Sequence, residues 1–330
     1  PGRATLEGIN HPHLRTIYPP AAQGAFALAY WIAPFDLTGW RLVLAAFDAL
    51  AALAVLGLLR KAALPLSLAF VYLWNPLLVT ESYGGCHVDI LAAAMVAAFA
   101  WALIANRPAV AALALAGAVG LKLWPVLLLP FLMRDLWGRW RQLAMSAGIL
   151  ALCASAMAVP FASAFGSDSD SGLLTYARTW SGRSGVYHIF DVAGWWLRSR
   201  FSLEMDGHYV GRGLMMVVLL PAVLWMGLRR AQGPAILCRR MGLVILLMLL
   251  LGPVLWPWYY VAAIPLAAVA APRLGLLIWT VLLPLCYLEA AGLSATYLTW
   301  IVHVPAWLAL TGEWTWSRWR RRIGEEAVHV

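Results

Sequence analysis

Charge is scarce in this chain: only 12% of its 330 residues are Asp, Glu, Lys or Arg, while 63% are hydrophobic. Soluble domains carry about twice that charged fraction, so a water-facing globular fold is excluded. Lysine is nearly absent, with Lys61 and Lys122 its two representatives. The four cysteines, Cys86, Cys153, Cys238 and Cys286, stand far apart with no CxxC pair, which leaves neither a disulfide framework nor a zinc spacing. The P-loop pattern, the HExxH pair and the GxSxG elbow are all missing. Nucleotide hydrolysis, zinc proteolysis and serine hydrolysis therefore lack local support. Strict apolar/polar alternation is absent from stretches such as 42–59 and 217–228, and a transmembrane barrel requires it. There is no tandem repeat. No cleavable signal peptide is visible, and the chain opens without Met, so a preceding N-terminal helix is expected.

Long apolar runs dominate what is present. They fall at 21–35, 41–59, 63–79, 90–105, 108–121, 123–133, 142–164, 213–228, 241–255, 258–271, 274–290 and 297–311. A bilayer core of about 30 Å takes roughly 20 apolar residues per helical crossing. The expected fold is all-α, a polytopic helical membrane protein with about nine to ten crossings, forming a single transmembrane domain over 1–330. The net charge of +9 sits between the runs, where it sets topology and does not point to nucleic acid.

Orientation follows from the arginines. If Arg60/Lys61, Arg107, Arg134/Arg139/Arg141, Arg229/Arg230/Arg239/Arg240, Arg273 and Arg318/Arg320/Arg321/Arg322 all face the cytoplasm, 15 of the 24 basic residues are inside, as topogenic signals require. Each pair of successive clusters is then separated by two runs. The segments left on the far side are 80–89, the surroundings of Lys122, the large loop 165–212, Trp256–Tyr260 and 291–296. Residues 1–40 read as the end of a first outer loop, with 21–35 lying in the interface, and 312–330 as a cytoplasmic basic tail. The expected location is the plasma membrane, with the polar chemistry on the extracytoplasmic face.

Glu81, His87 and Asp89 fall within nine residues, after Asn75-Pro76 and before an apolar helix. Gly84-Gly85 argues for a turn that lets two carboxylates and an imidazole converge. Such a group could orient an acceptor hydroxyl, act as general base or bind a divalent cation; the plain alternative is a solvated loop capping the next helix. Lys122 sits at the outer tip of a hairpin that turns at 122–125. A membrane-embedded ammonium is costly without a partner, and a phosphate suits it; the alternative is snorkelling to headgroups. Trp256, Trp258 and Tyr259 form an interfacial belt or an aromatic wall for a sugar or prenyl chain. Asp48, inside an apolar run, reads as a helix–helix polar contact. Asp168, Asp170, Arg178, Arg183, His188, Asp191, Arg198 and Arg200 form a mixed charged loop.

Four segments together resemble a known family. IleAsnHisProHis with ThrIleTyrProPro (9–23), TrpAsnPro followed by Glu and GlyCysHisValAsp (74–89), GlyLeuLysLeuTrpPro (120–125) and ProTrpTyr (257–259) are similar, in order and spacing, to the polyprenol-phosphate-mannose-dependent mannosyltransferases. These form glycosyltransferase family 87 of the GT-C superfamily. The resemblance implies transfer of a sugar, typically mannose, from a polyprenyl-phosphate donor to a lipid or glycan acceptor outside the cytoplasm. It makes Glu81, His87 and Asp89 the catalytic segment and Lys122 the donor-phosphate ligand. Tyr18, Asn75, Trp124, Trp256, Trp258 and Tyr259 would line the substrates. Two departures stand out: such enzymes carry a catalytic Asp in a first outer loop that would lie upstream of Pro1, and Trp256 occupies the position where relatives often have His. No cofactor is firmly implied, although a divalent cation is compatible. The rivals are a lipid or solute transporter, another lipid-linked transferase, and an inactive accessory subunit.

Overall fold

A computed structural model describes residues 8, 14, 16–159, 172, 175, 176, 180, 186–270 and 274–326, and these are helical with no sheet among them. Asp168, Asp170, Arg178 and Arg183 lie outside the described residues. Helix α1 (Pro20–Ile32) buries Ala22, Ala25 and Ala29 and leaves Tyr30, Trp31 and Ile32 outward. Asp36 then opens α2 (Leu37–Lys61) by accepting from the Thr38 N–H at 2.6 Å, a side-chain cap for an otherwise orphaned donor. Gly39 makes the α1/α2 contact possible, since a Cβ there would lie 2.2 Å from the Ala29 carbonyl oxygen. At 25 residues, α2 is about 37 Å long, enough to cross a bilayer.

The run 63–79 departs from the expected single crossing. It is broken into a 3-10 turn (Leu66–Ala69), one helical turn (Phe70–Leu73), a restart at Pro76 and a π-turn (Val79–Gly84). Pro76 has no N–H to give to a preceding helix, and Asn75 restarts the chain by accepting from the Leu77 N–H at 3.1 Å. Next come α3 (Asp89–Ile104) and α4 (Pro108–Leu121), packed against each other. Most of α3 is buried around its whole circumference, the mark of a central helix. Its alanines, with Gly57 and Gly117, admit close neighbours: a Cβ at Gly57 would meet the Trp101 ring at 2.6 Å, and one at Gly117 would meet Met95 at 2.5 Å. Small residues are what allow helices to approach closely when apolar surroundings supply no hydrophobic drive.

A 3-10 turn (Trp124–Leu128) leads into α5 (Leu129–Asp135), followed by α6 (Trp140–Ala158), α7 (Tyr187–Phe201), α8 (Gly207–Gly227) and α9 (Pro234–Leu251). A further 3-10 turn (Pro257–Ala263) continues as α10 (Ile264–Val269), and α11 (Leu274–Leu282) is prolonged to Ala291 by another. The chain then runs into α12 (Ala295–Glu326). Among the described residues, five helices are long and apolar enough to cross a membrane: α2, α6, α8, α9 and Leu274–Ala291. α3, α4 and Pro257–Val269 are apolar but shorter. The expected crossings are thus present partly as short or interrupted pieces, with proline at the N-terminus of the Pro76, α4 and Pro257 segments. Part of the expected loop 165–212 is α7, which carries Asp191 and, in its last turn, the basic Arg198 and Arg200.

The α3/α4 hairpin fixes two ends. At one, Arg139 donates to the Asn106 side chain at 2.5 Å, and Arg240 donates to the carbonyls of Arg229 and Arg230 at 2.8 and 3.1 Å. Three arginine-bearing segments, around 106, 134–139 and 229–231, gather there. At the other end lie Asp89 and Lys122.

The α7/α8 pair meets through glycine. A Cβ at Gly194 would fall 2.3 Å from the Gly207 carbonyl oxygen and 2.5 Å from the Gly211 nitrogen, whereas one at Gly213 meets nothing within 4 Å. Gly194→Ala is expected to destabilise the purified protein by about 1–3 kcal/mol, the range for overpacking against rigid backbone. Gly213→Ala should be neutral or slightly stabilising through helix propensity. Thermal unfolding in detergent compares the two directly, and equal midpoints would remove the glycine seam.

Candidate active site

Asp89 is the first residue of α3, where the helix dipole favours a carboxylate. Lys122 immediately follows α4 with extended backbone, φ −148° and ψ 142°, so its side chain leaves the helix and crosses the hairpin tip. Nζ reaches Asp89 Oδ1 at 2.7 Å, with 14% and 5% of the two side chains exposed. Either charge alone at that depth would be strongly unfavourable, and breaking such a pair costs far more than the pair contributes. The ammonium also lies 4.4 Å from the centre of the Tyr259 ring, a cation–π contact. Tyr259 and Tyr176 share a hydroxyl–hydroxyl bond of 2.8 Å. Tyr18 is within the same field: burial, then the charge of Asp89 and the neighbouring Tyr176, push its phenol up to about 12.

Glu81 heads a second group. It is 1% exposed and lies in the π-turn, a local underwinding of the helix that is frequent at functional sites. Its Oε2 accepts from the Tyr287 hydroxyl at 2.8 Å, while Oε1 has no partner among the described residues. His87 Nε2 stands 3.5 Å from Oε2, longer than a good hydrogen bond. The imidazole stacks on Trp258 at 4.0 Å, and Trp258 stacks on Trp256 at 5.0 Å. Two backbone features shape this turn. A Cβ at Gly85 would meet the His87 ring at 2.7 Å, and Cys86 takes a left-handed φ of 53°. The Trp40 indole N–H donates to the Cys86 carbonyl at 2.8 Å, pinning that conformation to α2.

Burial raises Glu81 to about 7; the Tyr287 bond opposes the shift and the Asp89 charge adds to it. Burial, then Lys122, lowers His87 to about 4, so it is neutral at physiological pH. The two groups therefore share one electrostatic environment: Asp89 acts on Glu81, and Lys122 acts on His87.

The sequence expectation of one cluster of Glu81, His87 and Asp89 becomes two adjacent groups. Asp89 opens α3 and faces Lys122 across the hairpin, while the π-turn and the left-handed Cys86 fold His87 back toward Glu81. Among the described residues, no three His, Cys, Asp or Glu side chains gather as cation ligands. Asn75 is part of the frame. It is 2% exposed, its oxygen caps the restarted helix and its amide donates to Thr280 at 3.0 Å. Trp124 packs partly buried against the core. Tyr18, Trp256, Trp258 and Tyr259 border the two groups. Asp48 accepts from both Tyr72 and Tyr83 at 2.5 Å, tying α2 to the broken segment.

Three contributors escaped the sequence reading: Tyr176, Tyr287 and Trp40. Tyr287 lay beside Glu289 at the far end of an apolar run, a position where a hydroxyl facing protein was foreseeable. Nothing local marked Trp40 or Tyr176.

The family model of glycosyltransferase family 87 matches residues 17–253. Among solved structures, ArnT from Cupriavidus metallidurans in the apo state aligns with 94% of this chain and 64% of its own at 17% identity, with a TM-score of 0.51. ArnT from the same organism bound to undecaprenyl phosphate aligns with 93% of this chain and 62% of its own at 16% identity, with a TM-score of 0.48. At these identities the likeness is one of fold, and this chain spans less than two thirds of ArnT's length. No curated protein matches the chain.

The raised Glu81 carboxyl carries a stability signature. Its proton is held in the folded state up to about 7 but is lost near 4.3 once unfolded, so stability falls as pH rises between those values and levels off above them. Glu81→Gln keeps the Tyr287 contact without an ionisable group. The variant should gain on the wild type as pH rises from 5 to 8, read as the difference in unfolding midpoints. Parallel profiles for the two proteins would assign the titration elsewhere.

Proposed function

Because the chain belongs to glycosyltransferase family 87, we propose that it transfers a hexose, mannose, from a polyprenyl-phosphate donor to a hydroxyl of an extracytoplasmic lipid or glycan acceptor. The observation that carries this reading is the Lys122–Asp89 pair beneath the Tyr259 ring. One N–H of the ammonium is engaged by Asp89; a lysine has three, which leaves donors for a phosphate oxygen. Asp89 then acts as the residue that positions and charges Lys122. ArnT, whose apo form has this fold, has been captured with undecaprenyl phosphate, the class of leaving group that this reaction releases.

In the proposed step the acceptor oxygen attacks the sugar's anomeric carbon as the bond from that carbon to the phosphate oxygen breaks, with inversion. The acceptor proton passes to a carboxylate, for which Glu81 is suited. A base works best with an affinity for protons near the working pH, and Glu81 sits at about 7 with one unpartnered oxygen. The departing polyprenyl phosphate carries the new negative charge, and Lys122 is fixed where that charge develops, the arrangement that contributes most to such steps. His87, neutral and stacked on Trp258, and the Trp256–Trp258 pair supply flat surfaces for a sugar ring. The donor is already activated, so no nucleotide is required.

The test is transfer of labelled mannose from polyprenyl-phosphate-mannose in membranes expressing the full-length gene. Lys122→Ala should lower the rate by about 10²–10³-fold, as expected for losing a fixed transition-state charge. Glu81→Gln should cost about 10²–10⁴-fold, the range of general-base catalysis. Asp89→Asn should lower the rate and weaken donor binding. Transfer insensitive to Lys122 and Glu81 would remove the site, and an absence of transfer by verified full-length protein would turn the reading toward another donor, then toward transport.

The face of the membrane is tested separately. Cys238 is fully buried and is a poor reporter, so Trp137→Cys, at a position 67% exposed between Arg134 and Arg139, serves for the arginine-rich end. Two single-thiol proteins are compared, one retaining Cys86 alone and the other carrying only the thiol introduced by Trp137→Cys. An impermeant maleimide applied to intact cells should label the first and spare the second. The opposite pattern would invert the topology.

A further inference from the structure

A cavity of about 380 Å³ opens at the end of the bundle opposite Lys122, between the last residues of α3 (Leu103 and Ile104), the 134–139 segment and the 227–231 segment. Its wall carries Arg134, Arg139, Arg229 and Arg230 against a single carboxylate, Asp135. Four guanidiniums and one carboxylate leave a net of three positive charges around one concavity. Arg139 is fully engaged, bonded to Asp135 at 2.6 Å and to Asn106 at 2.5 Å, and so forms a fixed side of the wall. Arg134 is different: its buried Nε has no hydrogen-bond partner among the described residues, and a buried charged donor left unpaired is costly. Arg229 and Arg230 are held at the rim, because Arg240 binds both of their backbone carbonyls.

The floor is apolar. Phe131 and Leu237 line the cavity, and so does Trp137, whose indole is exposed, the residue type that settles at headgroup depth. An anion with an apolar extension fits a wall of guanidiniums above a hydrocarbon floor, and basic pockets between transmembrane helices hold phospholipid headgroups by this combination. A guanidinium pairs with phosphate through two parallel N–H bonds.

We propose that this cavity is a binding site for the phosphate of an anionic phospholipid headgroup, seated on Arg134, Arg229 and Arg230 in the leaflet opposite the Lys122 site. The site is separate from that of sugar transfer and does not rest on it. It adds an anchor that fixes the depth of the α5, α8 and α9 ends relative to the headgroup plane.

The experiment uses the full chain purified in a neutral detergent. Phosphatidylglycerol, phosphatidylcholine and inorganic phosphate are titrated separately, with the thermal midpoint and lipid adducts in native mass spectrometry as readouts. Phosphatidylglycerol should raise the midpoint saturably and remain bound as one or two adducts per chain. Phosphatidylcholine should do neither. Inorganic phosphate should shift the midpoint only weakly at equal concentration; a full shift would assign the site to a free anion and overturn the lipid assignment. Arg134→Gln with Arg230→Gln should weaken phosphatidylglycerol about tenfold or more, equivalent to about 1.4 kcal/mol, while Lys61→Gln, a cation outside the cavity, should leave it unchanged. Equal loss in Lys61→Gln, or none in the double variant, would overturn the site. The lipid-free midpoint of each variant separates a folding defect from lost binding, and Arg230→Gln alone, on an exposed side chain, keeps the test open if the double variant is unstable.

Discussion

The ion pair between Lys122 and Asp89 is the constraint around which one whole end of the molecule is arranged. Neither charge is tolerable alone at 14% and 5% exposure, so the chain must bring the start of α3 and the end of α4 to within 2.7 Å. That requirement sets the register of the central hairpin. It also draws Tyr259 against the ammonium, Tyr176 onto Tyr259 and Tyr18 into the field of Asp89, and through them ties the Pro257–Ala263 turn and the entry to α1 to the same point. Burial is the main cause of the shifts of Glu81 and His87, and this pair adds to both, Asp89 to the first and Lys122 to the second.

A single cluster of acid, base and cation would neutralise itself. Here the cation is matched by Asp89, and Glu81 stands apart with only a phenol as donor, so a basic carboxylate and a fixed positive charge persist a short distance from each other. The π-turn makes the separation possible by turning residue 81 inward while Asp89 begins a regular helix. Gly85 and the left-handed Cys86 are the local cost of that turn, and the Trp40 bond to the Cys86 carbonyl holds it.

Much of this was legible in the amino-acid sequence. Apolar runs marked most helices to within a few residues, since membrane helices announce themselves by composition, and the arginine spacing placed three loops at one end, where Arg139 meets Asn106 and the 229–230 carbonyls meet Arg240. Glu81, His87, Asp89 and Lys122 stood out because ionisable groups are rare in such a chain. What stayed hidden was pairing across distance. Asp89 and Lys122 are 33 residues apart and Glu81 and Tyr287 are 206 apart, and no local pattern encodes either contact. The breaks in 63–79 were signalled by Asn75-Pro76, yet hydropathy alone joined the pieces. Asn75 is a good cap there, a small amide before proline.

α3 and α4, at 16 and 14 residues, are about 24 and 21 Å long, while α2 is about 37 Å. The rim of the molecule therefore reaches across the hydrocarbon, whereas its middle does not. The hairpin that brings Asp89 to Lys122 is thus shorter than the roughly 30 Å of a hydrocarbon core, and its two ends, one at Lys122 and the other at Asn106, stand closer together than the two ends of α2.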